Sequence, residues 1–126
     1  DDVALPSHDA FQYDVVDVTR QALSDTFFVT FKQALAAFES HSGAGAVCVL
    51  TLKMKQLITD TDLILATHRG FLLGGWMADA DAMAGGNQTL ADYLRYQARN
   101  QITRWGEEGE ISDYASKQWA HLVSSY

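Results

Sequence analysis

Proline is almost missing from this sequence: among 126 residues only Pro6 occurs, inside the first ten. The rest of the chain is free of the residue that most strongly interrupts a helix. One proline alongside 48% hydrophobic residues argues against collagen-like, proline-rich and disordered classes, because so apolar a chain can bury a core. The length fits one domain with a modest core. A single cysteine, Cys48, rules out an internal disulfide and leaves the redox compartment open. Its setting in the apolar run A-V-C-V-L predicts a buried structural thiol rather than a nucleophile.

Basic charge is also scarce. Lys and Arg number 9 against 16 Asp and Glu, a formal net charge of -7. Binding nucleic acid requires a basic stripe to neutralise phosphates, so nucleic acid is not an expected partner. An anionic membrane surface is disfavoured for the same reason. No apolar run approaches the roughly 20 residues of a bilayer span. The opening D-D-V-A-L-P has neither the basic start nor the apolar run of a signal peptide. Both ends read as cuts in a longer protein.

Metal and cofactor signatures are missing too. The four histidines, His8, His41, His68 and His121, contain no i, i+4 pair of the kind a helical zinc site uses, and read as surface or helix-end residues. The run from Gly70 to Gly75 lacks the Gly-Lys-Ser/Thr ending of a phosphate loop and reads as close packing at a helix start. No metal and no cofactor are expected.

Helical periodicity, in contrast, is everywhere. Residues 1–12 read as an irregular lead-in and residues 13–126 as one helical domain. Leu23, Phe27, Phe31, Ala34, Leu35 and Phe38 recur at spacings of three and four, predicting one buried face on a helix from about Tyr13 to Glu39. Ser24-Asp25 marks a place for a bend, and His41 to Gly45 a stop. A second helix carries Val47, Leu50, Met54, Leu57, Ile58, Thr61, Ile64 and Leu65, ending near His68 to Gly70. Its opening A-V-C-V-L-T-L has strand propensity, but the spacing from Leu50 onward decides for helix. A third begins near Phe71 and buries Leu72 or Leu73, Trp76, Met77, Ala80 and Met83. Thr89, with Asp92 three residues on, predicts the N-cap of a fourth, which carries Leu90, Tyr93, Leu94, Ala98, Ile102 and Trp105. After a turn from Gly106 to Gly109, Ile111, Tyr114, Ala115, Trp119, Leu122 and Tyr126 predict a fifth. Short loops between amphipathic helices make neighbours antiparallel. The expected fold is an all-α, up-and-down antiparallel bundle of about five helices, truncated.

One corner concentrates polar and aromatic groups, R-N-Q-I-T-R-W-G-E-E-G-E-I-S-D-Y-A-S-K-Q-W from Arg99 to Trp119. Glycoside hydrolysis needs two carboxylates roughly 5–5.5 Å or about 6.5–9.5 Å apart across a cleft. Glu107, Glu108 and Glu110 sit on one short turn with no opposing wall, so solvated loop charge is the simpler reading. Trp105, Tyr114 and Trp119 suit the apolar face of a pyranose, though aromatics at helical spacing are more often core. Asn87-Gln88-Thr89 is a glycosylation sequon in an expected exposed loop.

Three segments resemble one family in order and spacing. Y-D-V-V-D-V-T-R-Q from Tyr13, F-L-L-G-G-W from Phe71 and the Arg99–Trp119 corner are similar to segments of alpha-N-acetylglucosaminidases, glycoside hydrolase family 89. The resemblance spans about Tyr13 to Tyr126. It implies part of the helical carboxy-terminal domain of such an enzyme, packed against a catalytic barrel that holds two catalytic glutamates. The implied reaction is removal of terminal alpha-linked N-acetylglucosamine, for example from heparan sulfate. No alternation of strands and helices is present, so the barrel is missing and no glutamate here takes a catalytic role. Trp105, Glu108, Asp113 and Tyr114 are then expected to line the substrate cleft, with Arg99 as a supporting ion-pair partner. The implied setting is lysosomal or secreted in a eukaryote, periplasmic or extracellular in a bacterium. The rival expectation is a free-standing, non-catalytic helical interaction module.

Overall fold

The computed structural model describes residues 7–103 and 119–121. Among these, four α-helices occur in order: α1 Asp9–Glu39, α2 Ala44–Leu65, α3 Leu73–Met83 and α4 Gln88–Thr103, with a 3₁₀ turn at Arg69–Phe71. The all-α expectation holds. The chain divides into two compact units, Asp1–His68 and Arg69–Tyr126, each built around one helix pair.

In the first unit α1 runs unbroken for 31 residues, starting four residues earlier than the periodicity suggested. The apolar stripe begins late, whereas the helix begins at Asp9, which is placed favourably in the first turn. The expected bend at Ser24-Asp25 does not interrupt it. Asp25 accepts a hydrogen bond from the Gln21 amide at 3.0 Å, one turn earlier. The hydroxyls of Thr19, Thr26 and Thr30 donate to the carbonyls four residues back, so their polarity is satisfied within the helix.

The end of α1 is capped by backbone. The His41 N–H donates to the Phe38 carbonyl at 3.1 Å and the Ser42 N–H to the Ala37 carbonyl at 3.0 Å. This pair of bonds is a Schellman motif, and it places His41 in the left-handed region at φ 54°. Gly43, at φ 95°, then leads into α2, which folds back antiparallel along α1. The A-V-C-V-L-T-L opening is helical throughout. At the open end of the pair, His68 Nε2 lies 3.4 Å from the Asp9 carboxylate, and its ring meets Tyr13 edge-on at 5.5 Å. His68 is therefore a buried residue rather than a surface one.

The core of this unit is narrower than the apolar content suggests. Val16, Thr30, Leu57, Thr61 and Leu65 are buried, and Leu65 has no exposure at all. Leu23, Phe27 and Ala34 are half-buried, but Phe31, Leu35 and Phe38, expected on the same face, are exposed. Cys48 is exposed as well, correcting the expectation of a buried thiol. It lies one residue beyond Val47, and a single helical step of about 100° carries it off the packed side.

In the second unit α3 and α4 pack antiparallel through small residues. Ala80 and Ala84 on or beside α3, and Ala91, Ala98 and Ile102 on α4, are buried. Met83, expected inside, is 74% exposed, because the alanines hold the contact line and Met83 falls to its side. Leu90 and Tyr93 are exposed for the same reason. The cap of α4 is Asn87, not Thr89: its side-chain oxygen accepts the Leu90 N–H at 3.1 Å. Gly85 and Gly86 supply the positive φ values, 58° and 87°, that reverse the chain before it. A side chain built on Gly74 or Gly75 would meet nothing within 4 Å, so those glycines do not serve the close packing read from the sequence.

The expected fifth helix mostly lies outside the described residues. The three that are described, Trp119 to His121, are not helical. Ala120 instead forms a one-residue parallel bridge with Leu72, its N–H donating to the Phe71 carbonyl at 3.0 Å. His121 has φ 69°, which a helix cannot continue.

Candidate functional site

Trp76 sits where the second unit comes together. Its indole N–H donates to the Ala98 carbonyl at 3.0 Å, crossing from α3 to α4. Its ring lies 6.1 Å from that of Trp119, tilted by 40°. A cleft of about 200 Å³ opens beside it, lined mainly by Trp76, Ala80, Met83, Leu94 and Ala98, with Asp79, Gln97 and Gln101 supplying polar groups. Such a cleft suits the insertion of an apolar side chain or the stacking of a ring.

One ion-pair network links the two helices. Arg95 on α4 reaches Asp81 on α3 at 2.6 Å and Asp92 on its own helix at 3.3 Å. The Asp81 carboxylate, as hydrogen-bond acceptor and as opposite charge, raises the Arg95 pKa further above its already high ordinary value. The guanidinium stays charged at any working pH.

Of the residues expected to line a cleft, Trp105, Glu108, Asp113 and Tyr114 lie outside the described residues. Arg99 is exposed on α4, its backbone carbonyl accepting the Thr103 hydroxyl at 2.6 Å, and it pairs with no carboxylate among the described residues. Asn87 is exposed at the start of α4. Among the described residues no group of three or more His, Cys, Asp or Glu is placed to hold a metal ion, and no helix is long and apolar enough to cross a membrane.

The sequence had placed Trp76 on the buried side of its helix. It gave no sign of the bond to Ala98 or of the Arg95–Asp81 pair. Both depend on the register of α3 against α4, 22 and 14 positions apart in the chain.

Two antiparallel helix pairs and a tryptophan-lined apolar cleft define an all-α domain. Comparison with known proteins makes the assignment particular. The family described as the alpha-N-acetylglucosaminidase (NAGLU) C-terminal domain matches residues 2–126, and the chain belongs to that family. It is 37% identical to human alpha-N-acetylglucosaminidase over 123 residues, covering 98% of this chain and 16% of the human protein. It is also similar to a family 89 glycoside hydrolase from Clostridium perfringens, solved in complex with PUGNAc. That match has a TM-score of 0.85 and 27% identity, over 96% of this chain and 14% of that one. The chain thus spans about a sixth of the human relative's length.

Proposed function

We propose that this chain is a helical accessory domain of an alpha-N-acetylglucosaminidase. It packs on a catalytic barrel of the same enzyme and forms one wall of the cleft in which terminal alpha-linked N-acetylglucosamine is removed from glycans such as heparan sulfate. The observation that supports this most is the match of both sequence and backbone, along nearly the whole chain, to glycosidases of one family. The chemistry falls to two glutamates of the barrel, so the 126 residues alone are not expected to hydrolyse a glycoside.

In the cleft wall, Trp105 and Tyr114 offer faces for the apolar side of the sugar ring. Glu108 and Asp113 offer acceptors for its hydroxyls. Arg99 supports the corner from α4. The setting is lysosomal or secreted in a eukaryote and periplasmic or extracellular in a bacterium, which fractionation of the native host would check.

The test is a chromogenic alpha-N-acetylglucosaminide. The full-length polypeptide should hydrolyse it and the isolated chain should not. Trp105→Ala or Tyr114→Ala in the full-length enzyme should lower kcat/KM by about tenfold or more, through lost positioning of the sugar, with thermal stability unchanged. Full turnover in both variants would remove them from the cleft wall. An inactive full-length polypeptide would favour a non-catalytic interaction module, and hydrolysis by the isolated chain would overturn the division of labour.

A further inference from the structure

The longest helix of the chain is apolar on more than the side it buries. Toward α2 it presents Val16, Leu23, Phe27, Thr30 and Ala34, all buried or half-buried. About a quarter-turn round the same helix lie Phe28, Phe31, Leu35 and Phe38, between 45% and 70% exposed. Four large apolar side chains on one line are more than a surface scatter of single residues.

Their spacing states what kind of surface would cover them. The steps are three, four and three residues, the alternation of the a and d positions of a heptad, whose full repeat has a period of 3.5, and all four fall on a seam about 15 Å long. That period lets side chains of one helix enter the gaps of another running alongside at a shallow angle. Polar groups border the line. Lys32 lies with its ammonium 4.2 Å from the centre of the Phe28 ring, and Glu39 follows Phe38. An apolar line with charged borders is the layout of a helix–helix seam.

The occupant follows from the proportion of the relatives that this chain represents. It covers 16% of the human enzyme and 14% of the Clostridium perfringens one, so most of such a polypeptide lies outside these residues. We infer that the line Phe28, Phe31, Leu35 and Phe38 on α1 seats an apolar helix from another part of the same polypeptide. This rests on the reading that the chain is one domain of a longer glycosidase. The seam makes α1 the spine of a larger helical core, flanked by α2 on one side and by the added helix on the other.

The test is thiol labelling in the full-length enzyme. Phe38→Cys and, separately, Leu35→Cys are compared with Ser42→Cys, which lies in the exposed turn after α1. Labelling by a maleimide is read peptide by peptide, so cysteines elsewhere do not enter, and circular dichroism and glycosidase activity certify the fold. A thiol at 38 or 35 should react at least about tenfold more slowly than one at 42, at every protein concentration, because burial withholds it from the reagent. Rates within about twofold of the control, in an active enzyme, would overturn the inference and leave the glycosidase reading standing. Protection that disappears on dilution would also overturn it, by showing that a second copy covers the seam. Concentration-independent protection in a folded polypeptide without glycosidase activity would uphold the seam and overturn the glycosidase reading.

Discussion

At the scale of single residues, two polar side chains at helix ends carry more than their exposure suggests. His41 occupies the left-handed position that ends α1, at φ 54°, a place glycine ordinarily takes. The backbone strain is partly offset by its ring nitrogen, 2.9 Å from the Glu39 carbonyl. His41→Gly relieves the strain but frees the unfolded chain, and should raise stability by about 0.5–1 kcal/mol in urea unfolding. A loss of stability would show that the ring contact outweighs the backbone. Asn87 is the second case, at once the cap of α4 and the acceptor of a sequon. The cap uses the side-chain oxygen, while a glycan would attach to the nitrogen, so the two roles are compatible. If the protein passes through a eukaryotic secretory pathway, endoglycosidase should shift its mass, and Asn87→Asp or Thr89→Ala should abolish the part of the shift due to this site. Asn87→Asp keeps the cap, whereas Asn87→Ala should cost about 1 kcal/mol as well. A mass unaffected by Asn87→Asp would exclude glycosylation there. The sequon was plain in the sequence. That its asparagine also starts the helix was not, because Thr89 and Asp92 offer an equally good capping pattern two residues later.

At the scale of elements, the two helix pairs are held by different means. The α1–α2 pair relies on a few fully buried side chains, chief among them Leu65. Leu65→Ala should destabilise it by about 2–5 kcal/mol, because the site is closed on all sides and the cavity left behind cannot be refilled. Denaturant unfolding measures this, and a change below about 1 kcal/mol would mean that the site collapses freely. The α3–α4 pair instead combines alanine contacts with directional links, Trp76 to Ala98 and Arg95 to Asp81. Small side chains let the helices approach closely but specify register weakly, and the indole bond and ion pair supply the specificity. Helix identity and length were legible for α1 and α2, whose periodicity extends over several turns. The third helix ends at Met83 as expected, but the burial of Met83 was misjudged, because it and the alanines are all apolar and period alone does not rank them.

At the scale of the whole molecule, the chain is a member of the alpha-N-acetylglucosaminidase C-terminal domain family. Net charge of -7 coexists with a line of exposed phenylalanines on α1. The sequence by itself determined that the chain is all-helical, roughly where its helices run, and through three spaced motifs which family it belongs to. These are local or linear properties: propensity, the 3.6-residue period and the order of particular residues. Tertiary structure alone decided which apolar residues are inside. Phe27 and Phe31 satisfy the same spacing rule, yet one packs and the other is exposed, because a period defines faces but not their partners. It likewise decided that Cys48 is outside, that His68 is inside against Asp9 and Tyr13, and that Trp119 meets Trp76. Each of those outcomes depends on one element's register against another, a distance in space that separation along the chain does not encode.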